Sequence, residues 1–334
     1  MKIEEAFTTQ DDYTTQVCKL IKEHKANKYN LDVDFGVDCF TLSSGPVYEF
    51  WFADYPEIKV QITTEFLKRN FSEVIEFVLA KLTEDFEVIM KMKKGIVVCT
   101  YNRPGYLDQC LTRLHQVDCD EIIIVMDGGS PSREENISAA IKHGFGWIEL
   151  YENKGIGVVK NTGMRELMKR GCHHIFTLEE DNLIVDPDTL NKYVSYAKEH
   201  NLYHMNFGLH GTLNTGKGRY YNWKGNDVWT YPDLVGSFSY YHRDVLLKVG
   251  YIDEKFYLAA EHCEHTLRIT YANMTTPFWY FADHPESGSM IEEIEGSLEN
   301  STIRNRPDFH ELIRKGHQRL IEKTGTGYPP RPSQ

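Results

Sequence analysis

Hydrophobic and polar positions follow two rhythms in the first part of the chain. Between residues 31 and 62, apolar and polar residues alternate in three short runs separated by turn-forming residues, which predicts a three-stranded meander. The apolar positions of residues 12–26 and 71–82 recur every three to four residues, which predicts a helix on either side of the meander. Residues 1–92 are therefore predicted to form an N-terminal α+β module of order α-β-β-β-α.

The pattern changes at residue 93, where strand-like runs begin to alternate with helical ones. Three apolar runs have the length of buried strands, namely residues 95–99, 121–126 and 174–178. Helical patterns separate them, and Asp186 and Pro187 are residue types that open a further helix. This alternation predicts an α/β domain with parallel strands over residues 93–290. Residues 291–334 are predicted to hold an acidic loop, a C-terminal helix and a flexible tail.

Charge and composition exclude several classes of protein. The 334-residue chain has a net charge of −12, which argues against binding nucleic acid or anionic lipid through its whole surface but leaves room for a local basic groove. No apolar run approaches the ~20 residues that span a bilayer, and the polar start is unlike a secretory signal peptide. The 7 cysteines never occur as C-x-x-C, as is typical of reduced thiols. We therefore expect a cytoplasmic protein without a membrane span.

Polar residues follow each of the three predicted strands. They are residues 100–104 after the first strand, 127–130 after the second and 179–182 after the third. Open α/β sheets bind ligands outside the carboxyl ends of their strands. The three segments are therefore predicted to line one crevice, and the candidate chemistry of the chain lies there.

The acidic segment has the most distinctive chemistry of the three. Glu179, Glu180 and Asp181 stand consecutively at the end of an apolar strand and repel one another unless a cation lies among them. Carboxylate oxygens favour Mg²⁺ or Mn²⁺, and such ions usually bind substrate phosphates as well. The alternative is a solvated acidic turn before the next helix.

The other two segments offer groups that suit a nucleotide. Asp127 can accept hydrogen bonds from a base or ribose, and Gly128 allows the backbone to approach a ligand closely. Tyr101 can stack on a base, and Arg103 adds a positive charge. Each segment taken alone is equally well explained as an ordinary turn.

Together, the five motifs and their order resemble a known family. They are Val97–Pro104, Ile124–Ser130, Asn153–Gly163, Leu178–Asp181 and Gly236–Arg268. This series resembles the nucleotide-sugar-dependent glycosyltransferases of the GT-A fold, especially the large inverting family that includes bacterial surface-polysaccharide transferases. The acidic triplet is similar to the E-D-D motif of the N-acetylglucosaminyltransferases that initiate complex N-glycans. The chain departs from the family pattern at Gly128, Lys160 and His262, which stand where the family carries an acid, an arginine and an aspartate.

The resemblance implies a mixed, mostly parallel, Rossmann-like sheet flanked by helices. It also implies a metal-dependent transfer of a sugar, with inversion, from a nucleoside-diphosphate sugar, expected to be a UDP-sugar, to a hydroxyl acceptor such as a glycan. Asp181 is then the direct ligand of Mn²⁺ or Mg²⁺, helped by Glu179, and His284 could complete the metal or diphosphate site. The implied donor-binding residues are Thr100, Tyr101, Asn102, Arg103, Asp127, Lys160, Glu179 and Glu180.

The general base is expected at the start of the family's acidic helix. Glu261 keeps the family's first acid, and His262 occupies the position of the usual aspartate, so either can be the base. Glu264 is predicted to pair with Arg268 on an exposed helix face. A structural pair of Glu261 with His265 is a further possibility. The segment Glu261–His265 lacks the H-E-x-x-H spacing of zinc sites, so we do not expect zinc.

Three other functions compete with this interpretation. A nucleotidyltransferase would need a glycine-rich phosphate loop, of which residues 100–105 are a poor version. A degenerate protein that binds a nucleotide or glycan without turnover is favoured by the altered motif at His262. A transferase acting on a modified DNA base is favoured by the basic, aromatic segment 211–227, which could equally be a lid or an acceptor-binding loop. The sequence also leaves an oligomer possible.

Overall fold

The computed structural model describes residues 33–42, 45–52, 55–63, 73, 76–82 and 93–332, with side chains from residue 73 onward. The chain divides into two compact units, Met1–Met92 and Lys93–Gln334. Each unit is described by itself.

The first unit contains a three-stranded antiparallel sheet. Its strands are β1 (Val33–Leu42), β2 (Gly45–Phe52) and β3 (Tyr55–Thr63), in the order β1-β2-β3. The predicted meander is therefore confirmed. Residues 76–82 are helical, as predicted for the C-terminal part of the second helix. The predicted helix over residues 12–26 lies outside the described residues.

The second unit contains eleven strands and eight helices among its described residues. The strands are β4 (Lys94–Thr100), β5 (Glu121–Met126), β6 (Gly146–Glu149), β7 (His174–Glu179), β8 (Asn182–Ile184), β9 (His204–Asn206), β10 (Arg219–Trp223), β11 (Asn226–Tyr231), β12 (Phe238–His242), β13 (Phe281–Ala282) and β14 (Ile291–Glu293). The helices are α1 (Pro104–Leu114), α2 (Arg133–His143), α3 (Ile156–Lys169), α4 (Thr189–Glu199), α5 (Arg243–Lys248), α6 (Glu261–Tyr271), α7 (Ser287–Met290) and α8 (Phe309–Thr324).

A six-stranded sheet of order β6-β5-β4-β7-β12-β9 forms the centre of this unit. Strands β6, β5, β4 and β7 are parallel, and β12 runs antiparallel to both of its neighbours. The sheet is therefore mixed and mostly parallel with helices on its faces, as the sequence predicted. Parallel strands place their carboxyl ends at one edge, so the loops after β4, β5 and β7 meet there.

Alternate residues of the central strands build separate cores on the two faces of the sheet. Ile96 and Val98 pack with the apolar residues of α1 and α4, whereas Val97 and Cys99 pack with those of α3 and α6. Helix α3 lies close to β4 because Gly163 has no side chain. A Cβ atom at Gly163 would lie 2.2 Å from Cγ1 of Val97, so any larger residue would push the helix away from the sheet.

Two small sheets extend this core. One has the order β10-β11-β13, and the other pairs β8 with β14. The β8–β14 pair sets Glu293 opposite Asn182, next to the acidic segment. The stretch after residue 290 that is predicted as an acidic loop thus contains β14. Helix α4 begins at Thr189, two residues later than predicted.

The C-terminal tail makes defined contacts with the second unit. Nε1 of Trp279 donates a hydrogen bond of 2.8 Å to the carbonyl oxygen of Pro329, and the guanidinium of Arg331 lies 4.6 Å from the centroid of the Trp279 ring. The Tyr328 ring packs on Phe278 at 5.6 Å between centroids. Across the ranges described above, none of the helices is both long enough and apolar enough to cross a bilayer.

Candidate functional site

The structure brings the three strand-end segments together around one cavity of about 60 Å³. Its lining comprises Cys99, Thr100, Tyr101, Arg103, Asp127, Ile156, Val159, Glu179, Glu180, Leu258, Thr302 and Ile303. Six of the predicted donor-binding residues therefore line the same space. Known ligand pockets measure roughly 300–1,000 Å³, so this cavity is smaller than they are. Leu258, Thr302 and Ile303 complete its lining from outside the three segments.

The loops after β4 and β5 are held to each other by Asn102. Its backbone N–H donates to Oγ of Ser130 at 3.1 Å, and Oγ of Ser132 donates to its Oδ1 at 2.9 Å. Asn102 adopts a left-handed backbone with φ of 52°, a conformation that asparagine tolerates better than most residues. In this structure the predicted donor-binding residue Asn102 fixes the shape of the crevice.

Asp127 organises the turn after β5. Its carboxylate accepts backbone N–H groups from Gly128 at 3.0 Å, Lys154 at 2.8 Å and Gly155 at 3.0 Å. Burial raises the pKa of Asp127, and these three hydrogen bonds oppose that effect. A carboxylate has about four acceptor sites, so one remains for a ligand.

Thr100 carries a hydroxyl group that has no partner. Its Oγ1 is buried at the rim of the cavity and makes no hydrogen bond within the described part of the chain. Buried polar groups are nearly always hydrogen-bonded, and exceptions often mark a site that a ligand or water fills. Thr100 is therefore consistent with its predicted place in a binding site.

Arg103 binds two of the three consecutive acids. Its Nε lies 2.8 Å from Oε1 of Glu180, and its Nη1 lies 3.1 Å from Oδ2 of Asp181. The second oxygen of Asp181 accepts the side-chain amide of Asn182 at 2.9 Å. Burial raises the pKa of Glu180 to about 7 and also raises that of Asp181, although Arg103 opposes both effects.

Lys160 binds the remaining acid from the opposite side. The side chain is buried, and its Nζ donates to Oε1 of Glu179 at 2.8 Å and to the carbonyl oxygen of Gly236 at 2.7 Å. Burial alone would lower the pKa of Lys160, but the charges of Glu179 and Glu261 outweigh it and raise that pKa. Lys160 therefore stays charged and links the donor side of the site to Glu261.

The residues predicted to bind a metal do not form a metal site in this arrangement. Within the part of the chain that is described, no three His, Cys, Asp or Glu side chains are grouped as metal ligands. The carboxylate of Asp181 is paired with Arg103, and that of Glu179 is paired with Lys160. As arranged here, the donor set does not fit a divalent cation.

A histidine other than His284 lies beside the acidic segment. The His284 ring packs against Tyr193 and Tyr196 of α4, with centroid separations of 5.8 and 5.0 Å. His210 instead lies 3.3 Å from Oδ1 of Asn182, measured from Nδ1. The sequence did not predict the position of His210. The His210 ring lies beside β8, which pairs with the distant strand β14, and no local pattern indicates such a long-range arrangement.

Glu261 and His262 form an ion pair at the N-terminus of α6. Nδ1 of His262 lies 2.9 Å from Oε1 of Glu261. Burial disfavours both charges, but His262 lowers the pKa of Glu261 to about 2, and Glu261 is one of the groups that raise the pKa of His262. Each side chain therefore favours the charged form of the other. Both predicted base candidates lie together at the start of α6.

The remaining charged residues of α6 are structural. Glu264 receives Nε of Arg268 at 2.7 Å and Nζ of Lys323 at 2.6 Å. The predicted pair with Arg268 is present, but Glu264 is buried rather than on an exposed face. Nε2 of His265 donates a hydrogen bond of 2.8 Å to the carbonyl oxygen of Gly250, so this nitrogen is not paired with Glu261.

The basic, aromatic segment forms the β10–β11 hairpin. Its register runs from Arg219 opposite Thr230 to Trp223 opposite Asn226. The Arg219 guanidinium lies 4.8 Å from the Tyr280 ring centroid, so part of this basic surface is already packed. Tyr220 remains exposed.

One family model matches part of the chain. Residues 95–250, just under half of the chain, match the family model described as glycosyl transferase family 2. No curated protein sequence matches the chain.

Three solved structures are similar to this chain at low identity. The mannosyltransferase PcManGT from Pyrobaculum calidifontis, in complex with GDP-Man and Mn²⁺, is 15% identical over 57% of this chain and 56% of its own, with a TM-score of 0.43. Glucosyl-3-phosphoglycerate synthase from Mycobacterium tuberculosis, with Mg²⁺ and UDP, is 13% identical over 74% and 84%, with a TM-score of 0.46. TarS from S. aureus is 18% identical over 69% and 40%, with a TM-score of 0.41. The match of residues 95–250 to the glycosyl transferase family 2 model supports a glycosyltransferase.

Proposed function

We propose that this protein is a glycosyltransferase that moves a sugar, with inversion, from a nucleoside-diphosphate sugar to a hydroxyl group of an acceptor, and that the donor is a UDP-sugar. The observation that carries the proposal is the crevice at the carboxyl ends of β4, β5 and β7. It brings Tyr101, Asp127 and Glu179 to one cavity, and Lys160 connects that cavity to Glu261.

The donor nucleoside fits the part of the crevice around Asp127. The free acceptor site of this carboxylate can receive an N–H group of a uracil ring. Tyr101 supplies an aromatic face, and the unpartnered hydroxyl of Thr100 supplies a further polar contact. Thr302 and Ile303 form another part of the wall of this cavity.

The transfer step needs a group that takes the acceptor proton. The acceptor oxygen forms a bond to the anomeric carbon while the bond from that carbon to the diphosphate breaks, and the proton passes to Glu261. Glu261 is buried, and Nδ1 of His262 lies 2.9 Å from its carboxylate. The contact with His262 lowers the pKa of Glu261 and so weakens it as a base, so we assign Glu261 as the base only when the carboxylate is released from His262.

Dependence on Mn²⁺ or Mg²⁺, with Asp181, Glu179 and His284 as ligands, stays a prediction. The arrangement around Asp181 does not fit a cation, and His284 lies against α4, so no step of the proposed transfer uses a metal.

The proposal is tested by incubating the full chain with each common UDP- and GDP-sugar in buffer containing Mn²⁺ and measuring release of the nucleoside diphosphate. We expect slow release from at least one UDP-sugar, with Asp127→Asn weakening binding and Glu261→Gln abolishing transfer to an added glycan. Glu311→Gln, at an exposed position of α8, is the matched control and should leave the rate unchanged. Release by Glu261→Gln and His262→Ala at the wild-type rate would refute the base assignment.

Two outcomes would favour competing functions. Tight binding of a UDP-sugar without release would indicate a protein that binds the donor without turnover. Transfer to hydroxymethylated DNA but to no glycan would identify a nucleic-acid acceptor.

A further inference from the structure

The three consecutive acids already have internal counter-charges. Arg103 contacts Glu180 and Asp181, and Lys160 contacts Glu179. Arg103 is the residue just before α1, and Lys160 lies within α3. The two positive charges therefore come from two different parts of the fold. The repulsion among the acids is therefore offset without any bound ion.

Arg103 is held firmly in its place between the acids. Only 12% of its side chain is exposed, and the guanidinium also lies 5.3 Å from the centroid of the Tyr106 ring. Its contacts with Glu180 at 2.8 Å and Asp181 at 3.1 Å use two different nitrogens, Nε and Nη1. A planar guanidinium held at several points loses little conformational entropy when it binds carboxylates. Arg103 is therefore expected to bind these two acids strongly.

Both carboxylate oxygens of Asp181 already accept a hydrogen bond in this state. One oxygen accepts from Arg103 and the other accepts from the Asn182 amide at 2.9 Å. A divalent cation that approaches Asp181 meets a carboxylate that already has two donors. It must also bring its charge close to the guanidinium, which repels it.

We propose that Arg103 is an internal counter-ion that competes with a divalent cation for Asp181 and Glu180, so that a metal binds only when the guanidinium leaves these carboxylates. The proposal rests on the proposed function in one respect. The negative charge of the donor diphosphate is the reason why a cation would enter the site. Its central statement concerns metal affinity, and that can be measured without any nucleotide.

The experiment titrates the full-length protein with Mn²⁺ alone and follows the loss of the free-ion signal by electron paramagnetic resonance. The variants are Arg103→Gln, Asp181→Asn and the double variant. We expect Arg103→Gln to bind Mn²⁺ at least about tenfold more tightly than the wild type, because the repelling charge is gone and both acids are free. The double variant should lose this gain. Arg133→Gln, which removes an exposed arginine paired with Glu149, should leave Mn²⁺ affinity unchanged.

The proposal is overturned if Arg103→Gln binds Mn²⁺ no more tightly than the wild type, or if the gain persists in the double variant. Circular dichroism checks that each variant folds. If Arg103→Gln does not fold, Arg103→Lys replaces it. Lysine keeps the charge but cannot hold both acids through a planar fork, so its Mn²⁺ affinity should still rise about threefold, and an unchanged affinity refutes the proposal.

The same samples separate this inference from the proposed function. Release of UDP from UDP-sugars is measured in parallel on wild type and Arg103→Gln. If no donor releases its diphosphate but Arg103→Gln gains Mn²⁺ affinity, the proposed function fails and the role of Arg103 stands. If the wild type releases UDP but Arg103→Gln gains no affinity, the role of Arg103 fails and the proposed function stands.

Discussion

Replacing Lys160 with methionine tests whether the centre of the site depends on a buried charge. The Lys160 side chain is 2% exposed, and its Nζ donates at 2.8 Å to Glu179 and at 2.7 Å to the carbonyl of Gly236. Methionine has a similar length and shape but has no charge and no donor. The Lys160→Met variant therefore leaves the Glu179 carboxylate, the Gly236 carbonyl and the nearby Glu261 carboxylate without their shared cation.

The size of the effect follows from these contacts. Removing one partner of a buried ion pair costs about 3–5 kcal/mol, because the other charge stays buried and uncompensated. The side chain of Glu179 is 24% exposed, so water can solvate part of its charge. The unpartnered carbonyl of Gly236 adds its own desolvation cost. We expect the free energy of unfolding to fall by about 3 kcal/mol, the lower end of that range.

The assay is urea unfolding of the full chain followed by tryptophan fluorescence. Four of the five tryptophans, Trp147, Trp223, Trp229 and Trp279, belong to the second unit, so the signal reports mainly on the fold that holds Lys160.

Lys169→Met on the same helix is the matched control. Its side chain is 76% exposed and its Nζ lies 3.8 Å from Glu166, so its loss should change stability by less than about 0.5 kcal/mol. Adding Glu179→Gln to Lys160→Met should restore part of the loss. A Lys160→Met variant within about 1 kcal/mol of the wild type would refute the reasoning, since a buried pair should cost more.

Three further predictions concern the stability of the second unit. The Asn161 amide accepts the N–H of Ile252 and donates to its carbonyl, so Asn161→Ala should lower the free energy of unfolding in urea by about 2 kcal/mol or more; a loss under about 0.5 kcal/mol contradicts this. Burial opposes ionisation of Asp253, but hydrogen bonds led by Lys323 lower its pKa from 3.8 to about 2. Because the pKa of Asp253 is lower in the folded protein than in the unfolded chain, its ionised form stabilises the fold above the unfolded pKa, and this stability is lost as the pH falls to the folded pKa. The melting temperature should therefore fall from pH 4 to pH 2, and it should fall less steeply in Asp253→Asn. Parallel curves of melting temperature against pH for the two proteins would refute this. Truncation before Tyr328 removes the contacts with Phe278 and Trp279 and should lower the melting temperature by several degrees, whereas an unchanged value would show that the tail contributes nothing.

The sequence predicted the central fold well, because long apolar runs have few alternative placements. Strand β5 begins and ends at the residues that its apolar run predicted, and β4 and β7 extend only one or two residues further. In contrast, β8 and β14 have three residues each and pair across more than 100 residues of chain. No local period marks such a strand, since tertiary contacts alone stabilise it.

The site was predictable in position but not in its internal pairing. The rule that parallel strands present their carboxyl ends at one edge was enough to place Thr100, Asp127 and Glu179 together. The partners of the acids were not predictable, because Arg103 and Asp181 lie 78 residues apart and Lys160 and Glu179 lie on different elements. Side-chain choices of this kind depend on packing that periodicity does not encode.

The consecutive acids show how far an electrostatic argument from sequence can reach. Repulsion among them requires positive charge nearby, but it does not say whether a metal or a side chain supplies it. The structure supplies two positively charged side chains, Arg103 and Lys160, to the three carboxyl groups. A donor diphosphate would add further negative charge to this crevice. Binding of a nucleoside-diphosphate sugar therefore requires more positive charge than Arg103 and Lys160 supply. We expect the nucleotide and a metal ion to bind cooperatively, and Arg103 to leave Asp181 when they bind.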